Sequence, residues 1–328
     1  MKILAAAALA LAATTASASA ADSVTLQLKW VTDAQFAGYY VALDKGFYEE
    51  EGLDVEIKPG GPDTAPEQVI AGGGADVIVD WMPAALAARE RGLPLVNIAQ
   101  PFKKSGLQLT CRKDTGIETP EDLKGKTLGV WFSGNEYPFY AYMAKLGLNA
   151  QEGGDVTVLK QAFNVDPLLQ KQADCISTMS YNEYWQLIEA GMSPDDLVVF
   201  NYTDQNAAML EDGLYVLQDD LKDLAFVDKM ARFVKASMKG WDYAQENPDE
   251  AVSIVTDHDM TGAITEEHNV HMMEGVNKLT EGSDGTLDVA AAENTVDVLL
   301  SGDSDPVITK KPVGAWTDAV TNKMKDLN

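Results

Sequence analysis

Two hydrophobic periods alternate along the chain. Residues 24–31 (VTLQLKWV) put apolar side chains at every second position, the period of a strand. Residues 32–36 form a polar and aromatic loop, residues 37–51 read as a helix, and Gly52 stops it. Residues 53–57 (LDVEI) then alternate again. Strand, helix, strand is a βαβ unit, which makes the two strands parallel. In open α/β sheets ligands bind beyond the carboxyl ends of the strands. That edge carries Trp30, Asp33, Gln35 and Phe36, with Tyr39 at the start of the following helix.

The same plan returns later. The first copy continues with a helix over 66–71 and an apolar strand, ADVIVDW, over 75–81. The second copy has a strand over 126–131, a loop over 132–137, a helix over 138–146 and a strand over 156–159. A helix over 166–171 and the strand ADCISTM over 173–179 complete it. Both copies end in Ala-Asp, a short apolar strand and a helix (83–91 and 182–190). Strands alternating with helices of these lengths predict two lobes, each a mainly parallel sheet flanked by helices. The chain is expected to pass between lobes near residues 107–112 and to return within 201–217. Lobe 1 then holds 21–107 and 215–328, and lobe 2 holds 108–214. In the second lobe Thr119 and Pro120 carry helix-start signals, and apolar residues recur at helical spacing over 226–245. Two lobes on two crossings make a hinged clamp with a cleft at the strand ends.

Residues 1–20 differ in kind. Lys2, an apolar core over 3–13 and Ala18-Ser19-Ala20 read as a secretory leader cleaved after Ala20, releasing a free chain into the periplasm. The formal charge of −26 disfavours nucleic acid and anionic lipid as partners and suits a soluble monomer. Export makes a bridge between Cys111 and Cys175 chemically possible, but sequence supplies no distance, and buried free thiols are the favoured reading. His268 and His271 lie three apart on what reads as a surface helix, so packing or solvent exposure outweighs metal binding. No cofactor or metal motif, and no Ser-His-Asp or Cys-His arrangement, is visible. Gly72-Gly73-Gly74 lacks the Lys-Ser/Thr of a phosphate loop and reads as a turn.

Four loops point into the predicted cleft. They hold residues 30–36, 80–82, 133–137 and 180–184, and they mix aromatic rings with carboxylates and amides. Rings can cover the faces of a flat ligand, and carboxylates accept its N–H groups. The candidates are Trp30, Asp33, Gln35, Phe36, Tyr39, Asp80, Trp81, Asn135, Glu136, Tyr181 and Glu183. Several have a second reading. Trp30 and Trp81 suit a core equally well, Asp33 can cap the next helix, and Glu183 suits a helix first turn. Asp80 ends an apolar strand, where a carboxylate needs a ligand or a partner. Lys29 is turned away from Trp30 by strand alternation, which leaves the cleft without a cation.

The segments KWVTDAQFAGYYVALDKGFYEEEGLDVEI, GGGADVIVDW, the SGNE loop and GWDYAQENPDEA together resemble the thiamine-pyrimidine-precursor binding proteins of ABC importers. The resemblance spans nearly the whole mature chain and is strongest at residues 29–57. It implies a two-lobed periplasmic binding protein fold of type 2 that closes on its ligand and docks on a membrane permease. It also implies an amino-substituted heterocycle as ligand, with Trp30, Gln35, Phe36, Asn135 and Glu136 carried over as contacts. The same family includes a fungal enzyme that makes the thiamine pyrimidine from pyridoxal phosphate and its own histidine. By position, Asp80 and Ala84 replace that enzyme's cofactor lysine and donor histidine, and residues 206–211 lack its cysteine-rich stretch. The resemblance therefore implies a binder without catalytic residues. Relatives that bind sulfonate or nitrate would need cations that the cleft loops lack.

Overall fold

The computed structural model describes residues 20–301 and 306–327, so the predicted leader falls almost entirely outside the described residues. Among the described residues, ten strands form two five-stranded sheets. They are β1 (Asp22–Gln27), β2 (Leu53–Lys58), β3 (Val77–Asp80), β4 (Leu95–Ala99) and β5 (Leu107–Arg112), then β6 (Thr127–Val130), β7 (Thr157–Lys160), β8 (Cys175–Met179), β9 (Leu197–Asn201) and β10 (Gly213–Leu217). The sheet orders are β2-β1-β3-β10-β4 and β7-β6-β8-β5-β9. In the first sheet β1 runs parallel to β2 and β3, while β10 is antiparallel to both β3 and β4. The second sheet repeats this with β5 as its antiparallel strand. Each antiparallel strand is the one the chain enters just after changing sheets. This is the two-sheet, mainly parallel α/β architecture that the repeated plan predicts.

The Ala-Asp pair that ends each copy has a structural role. Asp76 Oδ2 accepts the Thr25 N–H at 2.8 Å, and Asp174 Oδ2 accepts the Thr127 N–H at 2.8 Å. In return the Asp76 and Asp174 N–H groups donate to the Thr25 and Thr127 carbonyls. Each aspartate thus clips the start of β3 or β8 to the strand beside it, extending the ladder past its regular end.

Several boundaries differ from expectation. Residues 107–112 are themselves strand β5, so the first crossing lies upstream, over 100–106, and the return runs over 202–212. The helix expected over 37–51 is two helices, Ala37–Asp44 and Phe47–Glu50, broken where Gly46 takes φ 72°. Cys111 and Cys175 stand directly opposite on antiparallel β5 and β8 and form a disulfide, not two free thiols. Sheet order brings together two residues that are 64 positions apart, which is why spacing alone gave no sign of it.

The long helix Leu224–Glu246 packs on the first lobe against the helix Ala37–Asp44. A Cβ on Gly240 would lie 2.0 Å from the Gly38 carbonyl oxygen, and one on Gly38 would lie 2.2 Å from Trp241. The two helices therefore meet backbone to backbone, and Trp241 packs edge-on against Tyr39 with ring centroids 5.6 Å apart. Among the described residues, no helix is long and apolar enough to cross a membrane.

The crossings are tied together. Glu211, in the second, accepts the Gly106 and Leu107 N–H groups at 3.0 and 3.2 Å and the Ser105 hydroxyl at 2.5 Å, all from the first. The lobes also touch directly. Ser133 Oγ donates to the Pro62 carbonyl, Arg91 to the Tyr137 hydroxyl, and Lys160 pairs with Asp63.

Candidate functional site

The carboxyl ends of β1, β3, β6 and β8 face one another across the cleft. Between them lies a pocket lined by Lys29, Trp30, Gln35, Trp81, Trp131, Asn135, Met179, Tyr181, Asn182 and Glu183. The space open to a water-sized sphere is about 20 Å³, so a ring enters only as the lobes part or side chains swing aside. The walls are aromatic. Trp30 and Trp131 meet edge to face across the cleft, centroids 5.9 Å apart and planes at 64°, and Trp81 and Tyr181 add further rings. Trp30 follows β1 and Trp131 follows β6, the equivalent strand of the second lobe.

The polar rim follows from hydrogen bonds already made behind it. Gln35 Nε2 donates to Asp212 Oδ2 at 2.8 Å, so Oε1 is the amide atom left for the cavity. Asn135 Nδ2 donates to the Phe132 carbonyl at 2.9 Å, which leaves its Oδ1. Glu183 Oε2 accepts the Met179 N–H at 2.9 Å, which leaves its second oxygen. Three residues lining one small aromatic chamber thus carry an acceptor oxygen that these bonds do not use.

Burial dominates the electrostatics. It pushes Glu183 up to about 7, against the bonds from Met179 and its own N–H. It raises Glu211 to about 8 and Asp212 to about 6, and lifts Asp33 well above the usual carboxylate range. The buried cation among these acids is Lys29, whose Nζ lies 2.8 Å from Asp80 Oδ1 with both side chains almost fully buried.

Six of the eleven sequence candidates line the cavity: Trp30, Gln35, Trp81, Asn135, Tyr181 and Glu183. Five do not. Asp33 caps the turn Ala34–Phe36 through the Gln35 N–H. Phe36 is wholly buried in the core, and Tyr39 packs on Trp241. Asp80 Oδ1 takes both Lys29 and the Trp81 N–H, and its Oδ2 is buried without a hydrogen-bond partner. Glu136 accepts the Gly134 N–H and steadies its own loop.

Lys29, Trp131, Met179 and Asn182 were missed. Lys29 contradicts the alternation argument because β1 ends at Gln27, and Leu28, Lys29 and Trp30 are all buried beyond it. The helix Glu266–Thr280 also differs from a surface helix. His268 is buried, with Nδ1 2.9 Å from Glu189 and Nε2 2.9 Å from Asn182, and His271 stacks on Trp185. Among the described residues no group of His, Cys, Asp and Glu is placed to hold a metal ion.

Comparison with known proteins fits this geometry. The formylaminopyrimidine-binding protein of Halalkalibacterium halodurans is 27% identical over 246 residues, covering 72% of this chain and 70% of that one. The riboflavin-binding protein RibY of Chloroflexus aurantiacus is 26% identical over 239 residues, covering 71% and 65%. A 4-amino-5-hydroxymethyl-2-methylpyrimidine phosphate synthase of Saccharomyces cerevisiae is 26% identical over 244 residues, covering 70% and 69%. A solved structure from Bordetella bronchiseptica RB50 superposes with a TM-score of 0.72 at 23% identity, covering 94% of this chain and 98% of that one. A family model described as NMT1/THI5 like matches residues 33–251, a span that includes cavity residues from Gln35 to Glu183. The chain belongs to the NMT1/THI5-like family.

Proposed function

We propose that this chain is the extracytoplasmic solute-binding component of an ABC importer. It captures a small amino-substituted heterocycle between its lobes, releases it unchanged and passes it to a membrane permease. The lobes meet at crossings 100–106 and 202–212, and the chain acts as a monomer. The observation that carries this reading is the chamber between the lobes, with aromatic walls from both and amide and carboxylate residues in its lining. Its free space, about 20 Å³ to a water-sized sphere, is too small for any ring, so capture requires the lobes to part and close again. The relatives named for binding formylaminopyrimidine and riboflavin support a flat nitrogen heterocycle. Lys29 does not make an anion site, because Asp80 neutralises it and acids surround the pair.

The test is a thermal-shift screen followed by calorimetry, with 4-amino-5-hydroxymethyl-2-methylpyrimidine, riboflavin and an alkanesulfonate as probes. The aminopyrimidine should bind best. Trp30→Ala and Trp131→Ala should each weaken it by roughly 1–3 kcal/mol, the range for one stacked ring. A preference for the sulfonate overturns the ligand class. Chemical alteration of the pyrimidine on long incubation restores the enzyme reading that the yeast relative represents.

A further inference from the structure

Asp212 is an expensive residue to keep where it is. It is 1% exposed, its Oδ1 has no hydrogen-bond partner, and its backbone sits at φ 27°, on the left-handed side. The buried carboxylate of Asp80 presses on it, it presses in turn on Glu211, and the favourable contacts are the Gln35 amide, the charge of Lys29 and the Trp81 side chain. Asparagine would tolerate the same backbone and fill the same volume without burying a charge. What asparagine cannot do is refuse a donor role. An amide can face Gln35 with either its oxygen or its nitrogen, and the Gln35 side chain could then turn over. An ionised carboxylate only accepts, so it holds Gln35 with Nε2 inward and Oε1 toward the cavity.

We infer that Asp212 is a positioning residue that sets ligand specificity by locking the Gln35 amide as an acceptor for an exocyclic N–H. This rests on the proposed function and deepens it: the site selects amino over oxo heterocycles at this edge. An oxo group placed there would set two acceptors face to face. By the usual penalty for an unpaired buried acceptor, the discrimination should be about tenfold to a hundredfold.

The experiment is calorimetry at about pH 8 with 4-amino-2-methylpyrimidine and its 4-oxo counterpart, on the mature chain and three variants. The wild type should prefer the amino compound. Asp212→Asn should bring the affinity ratio to within about threefold of unity, because both amides can now turn over. Asp212→Gly, which suits the left-handed backbone, should do the same and serves if the first variant does not fold. The double variant Gln35→Glu/Asp212→Asn restores an obligate acceptor at position 35 and should restore the amino preference. An unchanged ratio in both single variants overturns the inference. So does an equal loss of both ligands, which is what a merely structural Asp212 would give, and so does failure of the double variant to recover selectivity. Binding of neither pyrimidine by the wild type removes the proposed function itself, and the inference with it.

Discussion

Glu183 offers a test in which stability and binding should move in opposite directions. Its carboxyl is buried, and burial lifts it from an ordinary value of 4.5 to about 7. Between those two values the native state holds a proton that the unfolded chain has lost. Stability from this group is therefore full below about pH 4.5 and falls as pH rises toward 7, because the unfolded state binds fewer protons. Above both values the penalty is about 3 kcal/mol, the gap between 4.5 and about 7 converted to free energy. Glu183→Gln removes the charge and keeps an amide oxygen for the Met179 N–H. The variant should gain about 1 kcal/mol over wild type at about pH 5.5 and about 3 kcal/mol at about pH 8. With an unfolding entropy of about 2.1 cal/mol/K per residue, 3 kcal/mol is roughly 5 °C in Tm for a chain of this size. The assay is thermal unfolding of both proteins across that pH range, without ligand. A variant less stable than wild type at about pH 8, or a difference that does not grow with pH, refutes the reasoning. The same change should weaken aminopyrimidine binding by about 1.5–3 kcal/mol, the range for a charge-assisted hydrogen bond, as measured by calorimetry.

Two further outcomes follow from buried pairs. Replacing both Cys111 and Cys175 by Ala opens a loop of 64 residues and should lower stability by about 4 kcal/mol on the chain-entropy account, read as a shift in denaturant midpoint; an unmoved midpoint would show that the bridge does not constrain the unfolded chain. Asp80→Asn strands the Lys29 charge in the interior and should cost about 3–5 kcal/mol, whereas Lys29→Met/Asp80→Leu should cost far less, and equal melting losses in the two variants would disprove that the pair, not its shape, is what matters.

The fold was legible because its signals are local and occur twice. Alternation marks the strands, helical spacing marks the Leu224–Glu246 helix, and the repeated Ala-Asp marks equivalent strands, which its bonds to Thr25 and Thr127 hold in place. What escaped was non-local. No local pattern says that β5 inserts between β8 and β9, so neither the Cys111–Cys175 bridge nor the true first crossing could be read from spacing. His268 was misplaced for the same reason, since it is the partners Glu189 and Asn182, from a distant helix and the loop before it, that bury it.

At the site the misses have a sharper cause. Alternation was applied to Lys29, two residues after the strand had ended, and the two-residue period holds only while the ladder does. A better rule was available in the register. Leu26 pairs with Val77 and Gln27 with Ile78, so continuing the count sets Lys29 beside Asp80. A lysine and an aspartate at the ends of adjacent parallel strands, each in an apolar setting, require each other whatever the local period suggests. The repeat carried a second clue. Trp30 follows β1 and Trp131 follows β6, so choosing the first as a wall of the cleft implied the second. Among the carboxylates, the residues that look sharpest, Asp80 and Glu136, make their bonds within their own lobes. Glu183, which reads as a helix first turn, begins the helix Glu183–Glu189, bonds the Met179 N–H and still keeps an oxygen for the chamber. Loop chemistry in the sequence names the residues that arrive at the cleft, and the hydrogen bonds behind them decide which atoms are left to meet a ligand.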